Sequence, residues 1–308
     1  MIASEADIRY CFRLFLGREP NREEWPGHSS RAGQPLIDVV RSFANSKECS
    51  DRLLFARDFD DGDVEFADVF GKVVAARASD IDVGKHVLNG AHELHIAALF
   101  RKVLRPGMTV VDVGANCGYF TSLALACVGA GGGVYAIEPN PDNVQLLELA
   151  RRENDARNVQ IVAAAAGREF GTLRLFAGGS NGSVSNKGEG GRIVAQVPLD
   201  GLLAGVEFVD LIKIDVEGYE HEVLVGAGHV LKDRRPRVIL EFSPNGLAYG
   251  ARGVDLCGEL FRAEYRIGVI AKDGSVGPLT QNADVLLRAH VESGVDHIDL
   301  YAEPVEGF

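Results

Sequence analysis

Residues 109–121 read Thr-Val-Val-Asp-Val-Gly-Ala-Asn-Cys-Gly-Tyr-Phe-Thr. An apolar run, an acid, two glycines and then a helical pattern make a strand, a tight turn and a helix start. Glycine adopts backbone torsions closed to other residues and lets a ligand approach the main chain. The helix that follows offers free backbone N–H groups beside it. Such a turn suits a nucleotide cofactor. The spacing is Gly114-x-x-x-Gly118, not the Gly-x-Gly-x-x-Gly of a pyrophosphate-binding turn. S-adenosylmethionine has no pyrophosphate. It carries an ammonium, a carboxylate and a sulfonium, and Asp112 suits the cationic part, directly or through water. By itself the turn reads equally well as a tight connection.

A second strand ends Ala136-Ile-Glu138-Pro139-Asn140, about two dozen residues after Gly114. An acid at this place accepts hydrogen bonds from the hydroxyls of an adenosine ribose. NAD and S-adenosylmethionine both carry that ribose, so Glu138 supports an adenosine cofactor without choosing between them. The bland alternative is an acid favoured at a helix N-terminus.

The third cluster is Asp210-Leu-Ile-Lys213-Ile-Asp215-Val-Glu217-Gly218-Tyr-Glu-His221. Lys213, Asp215 and Glu217 alternate with apolar residues, which in a strand puts all three charges on one face. Parallel strands are normally apolar on both faces. Charges at the C-terminal end of one therefore point to the ligand-binding edge of an open α/β sheet, the alternative being a simple ion pair. Gly218 would turn the chain and bring His221 near Glu217. Methyl transfer mainly needs alignment of donor and acceptor, worth roughly 7–11 kcal/mol of a barrier. A hydroxyl acceptor also gives up a proton, and a placed base adds roughly 10²–10⁴-fold. Asp215, Glu217 and His221 are the candidate catalytic residues.

The elements around these motifs follow from periodicity. Strands are expected at 109–113, 134–138, 159–163, 208–214 and 237–242, and helices at 91–104, 119–128, 140–153, 219–225 and 247–263. This alternation predicts an α/β fold with a mostly parallel sheet and helices on both faces. Residues 64–76 read as β around Gly71, and short β pieces are expected at 172–176 and 192–197. Asp284-Val-Leu-Leu and His297-Ile-Asp-Leu-Tyr read as late strands closing one edge. Apolar residues at helical spacing predict helices over 4–16 and 34–44. The chain is thus expected to hold a small helical domain at 1–57 and a larger domain at 58–308, with a lead-in at 58–107 and the core at 108–308. A Gly/Ser/Asn-rich loop spans 178–191.

A net charge of −12 opposes the phosphate backbone, so nucleic acid is not an expected partner. No apolar run reaches the roughly 18–20 residues of a membrane span, and Met1–Tyr10 lacks the apolar core of a secretion signal. The five cysteines, Cys11, Cys49, Cys117, Cys127 and Cys257, form no Cys-x-x-Cys pair, which fits reduced thiols in a cytoplasm. His92 and His95 could share a helix face, but without a matching acid or cysteine set they read as ordinary histidines.

The segments 111–121 and 212–220 together resemble the FkbM family of S-adenosylmethionine-dependent methyltransferases. Val197-Pro-Leu-Asp200, His221–Ala227, Ile239-Leu-Glu241-Phe and the Ser180–Ser185 loop resemble further family segments in the expected order. The resemblance covers about residues 64–303. It implies a Rossmann-like class I methyltransferase fold with a seven-stranded sheet, usually acting on oxygen. It also implies cofactor contacts at Asp112, Gly114, Ala115, Asn116, Gly118 and Glu138, with Tyr119, Pro139 and Asn140 beside them. Asp215 and Glu217 would face the active site. Glu93 stands where the family often carries an acid, an ion pair being the other reading. Ala163–Ala166 lies where many methyltransferases place a polar adenine contact, so backbone groups would serve here. The first 55 residues resemble a small helical domain, through Phe15–Pro20 and Ser42–Ser46. It would shape the acceptor entrance, mediate homodimer formation or act as a plain appendage.

The expected cofactor is S-adenosyl-L-methionine, and the expected acceptor is a hydroxyl of a small molecule or a carbohydrate. Some small-molecule O-methyltransferases place a divalent ion between acids, which Asp215, Glu217 and Glu241 could supply; metal independence is the expectation here. Two rivals remain. One is an NAD-dependent oxidoreductase, against which stands the missing dinucleotide fingerprint. The other is a non-catalytic interaction module, against which stand the intact turn and Glu138.

Overall fold

The computed structural model describes residues 2–16, 18–44, 46, 62–178, 181–185 and 191–305. Two compact units emerge, Met1–Asp61 and Gly62–Phe308. The expected boundary at residue 57, and Cys49 with it, lies outside the described residues.

Among the described residues of the first unit the helices are Glu5–Leu16, Trp25–Ser29 and Leu36–Ala44. Ile8, Phe12, Val39 and Phe43 are buried between them. The Phe12 ring meets His28 and Phe43 edge-on, at 4.7 and 5.0 Å between centroids, and the Arg9 guanidinium lies over Trp25. The helix at Trp25–Ser29 had no periodic signal because it is one turn long and contains Pro26 and Gly27.

The strands of the second unit are β1 (Val64–Val69), β2 (Lys72–Arg77), β3 (Thr109–Val113), β4 (Gly133–Ile137), β5 (Val159–Val162), β6 (Ala165–Ala166), β7 (Gly171–Gly178), β8 (Asn181–Ser185), β9 (Arg192–Val197), β10 (Leu211–Ile214), β11 (Arg237–Phe242), β12 (Tyr265–Val269) and β13 (Ile298–Pro304). β1 and β2 form a hairpin around Phe70-Gly71, both at positive φ. The main sheet has seven strands in the order β12-β13-β11-β10-β3-β4-β5. β11, β10, β3, β4 and β5 run parallel, whereas β13 is antiparallel to both its neighbours. β6, β9, β7 and β8 form a smaller sheet. Of the 178–191 loop, Gly178 ends β7 and Asn181–Ser185 form β8, while 179–180 and 186–190 lie outside the described residues.

The parallel strands read as apolar runs because both faces are covered: every residue of β10 is buried, as are the last four of β3. The helix Tyr119–Val128 contacts β3 and β4, and Pro141–Glu153 contacts β5. The second of these begins where the Asn140 side chain accepts from the Asp142 N–H at 3.1 Å, with Pro141 in its first turn, a capping arrangement worth about 1 kcal/mol.

Two expectations are corrected. Asp284–Leu287 is not a strand but the start of the helix Ala283–Ser293, capped by Asn282, whose side chain accepts from the Asp284 N–H. Leu286 and His290, one helical turn apart, are its buried residues. In turn, Tyr265–Val269 is an unexpected edge strand, directly after a helix that spans Gly253–Arg262. Among the described residues no helix is long and apolar enough to cross a membrane.

Candidate active site

The turn after β3 is built by close approach. The N–H groups of Gly114 and Ala115 donate to the Ile137 carbonyl at 2.9 and 3.1 Å. Gly114 has φ +79°, and a Cβ there would fall 1.7 Å from the Asp215 carbonyl oxygen. The position therefore needs glycine both for its torsion and for its contact with the end of β10. Gly118, at φ +92°, is pressed on Leu147 in the same way.

Glu138 joins this turn to the next one. Its Oε2 accepts from the Asn116 N–H at 2.9 Å, and its Oε1 accepts from the Asn140 N–H at 2.8 Å. The side chain is buried. Burial raises its pKa to about 7, against the pull of the two backbone donors. The Asn143 amide also donates to Oε1, at 3.5 Å, so Oε2 is the oxygen with room to accept from a ribose hydroxyl.

Asp112 lies behind this surface, 1% exposed. Thr121 Oγ1 donates to its Oδ2 at 2.6 Å, while Oδ1 has no partner. Burial pushes its carboxyl upward, and Lys213, its register neighbour on β10, pulls the other way.

Lys213 is the one buried lysine among the described residues. Its Nζ donates to Asp215 Oδ2 at 2.7 Å and sits 4.4 Å from the centroid of the Phe120 ring. Burial works against its charge, but Asp215, Glu93 and Asp112 outweigh this and hold the ammonium well above its usual range. Burial likewise opposes the charge of Asp215, and Lys213 overcomes it to keep that carboxyl low.

One cavity of about 410 Å³ brings these parts together. Of the residues expected to contact a cofactor, Gly114, Ala115, Asn116, Tyr119, Glu138 and Pro139 line it. Asp112, Gly118 and Asn140 stand behind them as supports and are not among its lining residues. Ala165 and Ala166 line it where backbone contacts to an adenine were expected.

Asp215 and Glu217 also line the cavity, but not as alternate residues of one strand. β10 ends at Ile214, and Glu217 is exposed in a turn at φ +53°. Buried Glu220 holds that turn, its Oε1 accepting from the N–H groups of Val216 and Gly218, both at 3.1 Å. His221 is not brought to the site. Its ring nitrogens face Glu222 at 3.1 Å and Glu259 at 3.6 Å, because the helix Glu220–Val225 directs it toward Gly253–Arg262.

Other cavity residues carried no catalytic assignment: His92, Glu93, Glu241, Ser243 and His297. Burial, assisted by Lys213, lowers His92 to about 4, so the ring is neutral. Burial raises Glu93 to about 7 and, with Asp215, raises Glu241 to about 8. Glu241 could have been found from its place at the C-terminal end of a parallel strand. His297 could not, because it reaches this edge only through the reversed direction of β13. Among the described residues no group of three or more histidines, cysteines or acids is arranged to hold a metal ion.

Comparison with known proteins gives a family match and several more distant ones. The model of the methyltransferase FkbM domain matches residues 112–267, half of the chain. A protein-L-isoaspartate O-methyltransferase of Methanothrix thermoacetophila is 40% identical over 62 residues, 19% of this chain and 28% of that protein. Protein-L-isoaspartate O-methyltransferase 1 of Arabidopsis thaliana is 29% identical over 102 residues, 32% of this chain and 41% of that protein. The chain thus spans less than half the length of these curated relatives. A crystal structure described as methyltransferase FkbM from Methylobacillus flagellatus superimposes with a TM-score of 0.43 at 17% identity, covering 86% of this chain and 60% of that one.

Proposed function

Because the chain belongs to the methyltransferase FkbM family, we propose that it is an S-adenosylmethionine-dependent O-methyltransferase acting on a hydroxyl of a small molecule or a sugar. The observation that carries this reading is the shared cavity, lined both by the Gly114 turn with Glu138 and by the charged group around Lys213 and Asp215. Glu138 would hold the ribose, and the backbone of Gly114, Ala115 and Asn116 would hold the rest of the cofactor. The cofactor supplies a methyl group already activated on a sulfonium. The surrounding carboxylates favour that cation, and the closeness of the two parts provides the alignment that methyl transfer needs.

The acceptor side supports a hydroxyl over a carboxylate. Asp215, Glu217, Glu241 and Asp296 line it and outnumber His297, with Lys213 already paired to Asp215. A carboxylate acceptor would meet like charge there, whereas a neutral polyhydroxyl compound would find hydrogen-bond acceptors. The net charge of −12 disfavours nucleic acid in the same way. Buried Cys11, Cys117 and Cys257 are unpaired thiols, which suits a cytoplasmic protein.

Calorimetric titration with S-adenosylmethionine and with NAD tests the cofactor. Tighter binding of NAD, or no heat with S-adenosylmethionine, would sink the reading. Transfer of a labelled methyl group to a panel of sugars and hydroxylated small molecules, with and without chelator, tests the acceptor class.

A further inference from the structure

We infer that Glu241 is the general base of the reaction, the carboxylate that receives the proton of the acceptor hydroxyl. This rests on the O-methyltransferase reading above. β10 and β11 are parallel, with Leu211 beside Arg237 and Ile214 beside Leu240. One residue beyond this paired register, Asp215 follows Ile214 and Glu241 follows Leu240, and both line the main cavity.

The other candidates are disqualified by their surroundings. Asp215 is held ionised by Lys213 at 2.7 Å, so it accepts a proton weakly. Glu217 is exposed on its turn, and His221 is tied to Glu222 and Glu259. Glu241 instead lies 3.2 Å from the neutral hydroxyl of Ser243, a donor it shares with the Asp296 carbonyl at 3.4 Å. Burial, then Asp215, with smaller effects of Glu220 and Glu217, raise its pKa to about 8, while His297 opposes them. Asp299 is its register partner on β13. Glu93, Lys213, Asp215 and Asp299 line with it a second, water-sized cavity. A carboxyl titrating close to neutral pH suits general base catalysis.

The balance of the step explains why a base of this kind fits. The acceptor oxygen forms the new C–O bond while the C–S bond breaks with its electron pair on sulfur. The hydroxyl proton passes to Glu241, and the O–H electron pair stays on oxygen. A cation and a carboxylate become a neutral thioether and a carboxylic acid, so the charge within the cavity does not change. Before that step, a sulfonium in the same cavity favours the ionised form of Glu241. Cofactor binding therefore readies the base by driving a proton off it.

Calorimetry in two buffers of different ionisation enthalpy measures this without a known acceptor. At pH 7 to 7.5, S-adenosylmethionine binding is expected to release close to one proton more per site than binding of neutral S-adenosylhomocysteine. Glu241→Gln is expected to lower that difference markedly while still binding both compounds, the remainder coming from Glu93 and Glu138, which line the same cavity. Ser243→Ala, which removes the hydroxyl supporting the ionised form, is expected to move the largest difference to higher pH. Equal proton release for the two ligands in the wild-type protein overturns the inference, whatever the variants do. So does a difference that is undiminished in Glu241→Gln. Failure of both ligands to bind overturns the methyltransferase reading itself, a distinguishable result.

Discussion

Lys213 Nζ lies 2.7 Å from Asp215 Oδ2, and the lysine is 4% exposed. A full charge at that depth on a parallel strand is stable only because its partners are fixed: Asp215 directly, with Asp112 and Glu93 nearby. Removing one partner of such a pair typically costs about 3–5 kcal/mol, since the other charge is left uncompensated. Lys213→Met is therefore expected to lower unfolding stability by about that amount, read from urea melts. Unchanged stability would show that the acids discharge without cost.

The contact between Gly114 and Asp215 predicts a second effect. A methyl group at Gly114 would lie 1.7 Å from the Asp215 carbonyl oxygen, at a φ of +79°. Gly114→Ala must push the turn away from β10, so S-adenosylmethionine binding is expected to fall below detection in calorimetry. Gly129 also has positive φ, but a Cβ there meets nothing within 4 Å. Gly129→Ala should leave binding intact, which separates the cradle's geometry from torsional strain in general.

Glu138 supplies both an acceptor for a ribose and the tie between Asn116 and Asn140. Glu138→Gln puts an NH₂ group where one of those backbone donors expects an oxygen. Leaving a buried donor unmatched costs about 1–3 kcal/mol. The affinity for S-adenosylmethionine is expected to drop by roughly 5- to 150-fold on that basis, with the circular dichroism spectrum unchanged. Wild-type affinity in this variant would remove Glu138 from the site.

Four carboxyls, Glu138 and Glu220 buried and Glu93 and Glu241 half-buried, give the ligand-free protein an unusual pH response. Burial raises Glu93, Glu138 and Glu220 to about 7 and Glu241 to about 8, against about 4.3 in an unfolded chain. A carboxyl raised in this sense stabilises the fold fully below its unfolded value, and the contribution is lost as pH rises through the folded one. His95, raised by its hydrogen bond to Asp299, adds to the same trend. His92, lowered to about 4, acts oppositely, its contribution being lost as pH falls through that value. The carboxyls outnumber it, so the Tm is expected to fall between pH 5 and 8.5. A Tm that climbs across this interval would contradict the burial of these acids.

Much of this arrangement was legible before any coordinates. The parallel core followed from apolar runs alternating with helices, since strands covered on both faces can hold little else. The Gly114 turn and Glu138 were readable because their chemistry is local: a torsion, a short reach and a strand end. The run 213–217 misled in one respect, because its even alternation resembled a longer strand, while Gly218 and buried Glu220 end it early. Asp284–Leu287 misled similarly, as four residues are too few to separate a strand from a capped helix.

The sequence by itself determined the family, the sheet and the cofactor turn, for these depend on residue order and on contacts close along the chain. The tertiary structure alone decided which acids share the cavity. Glu93, Asp215, Glu241 and His297 are far apart in sequence and meet because β10 lies beside β11 and β13 runs backwards. It also removed His221, whose nearness to Glu217 along the chain gave no hint that its helix faces elsewhere. Strand order and direction are properties of the whole sheet, set by the packing of every layer against the next, and no local pattern encodes them.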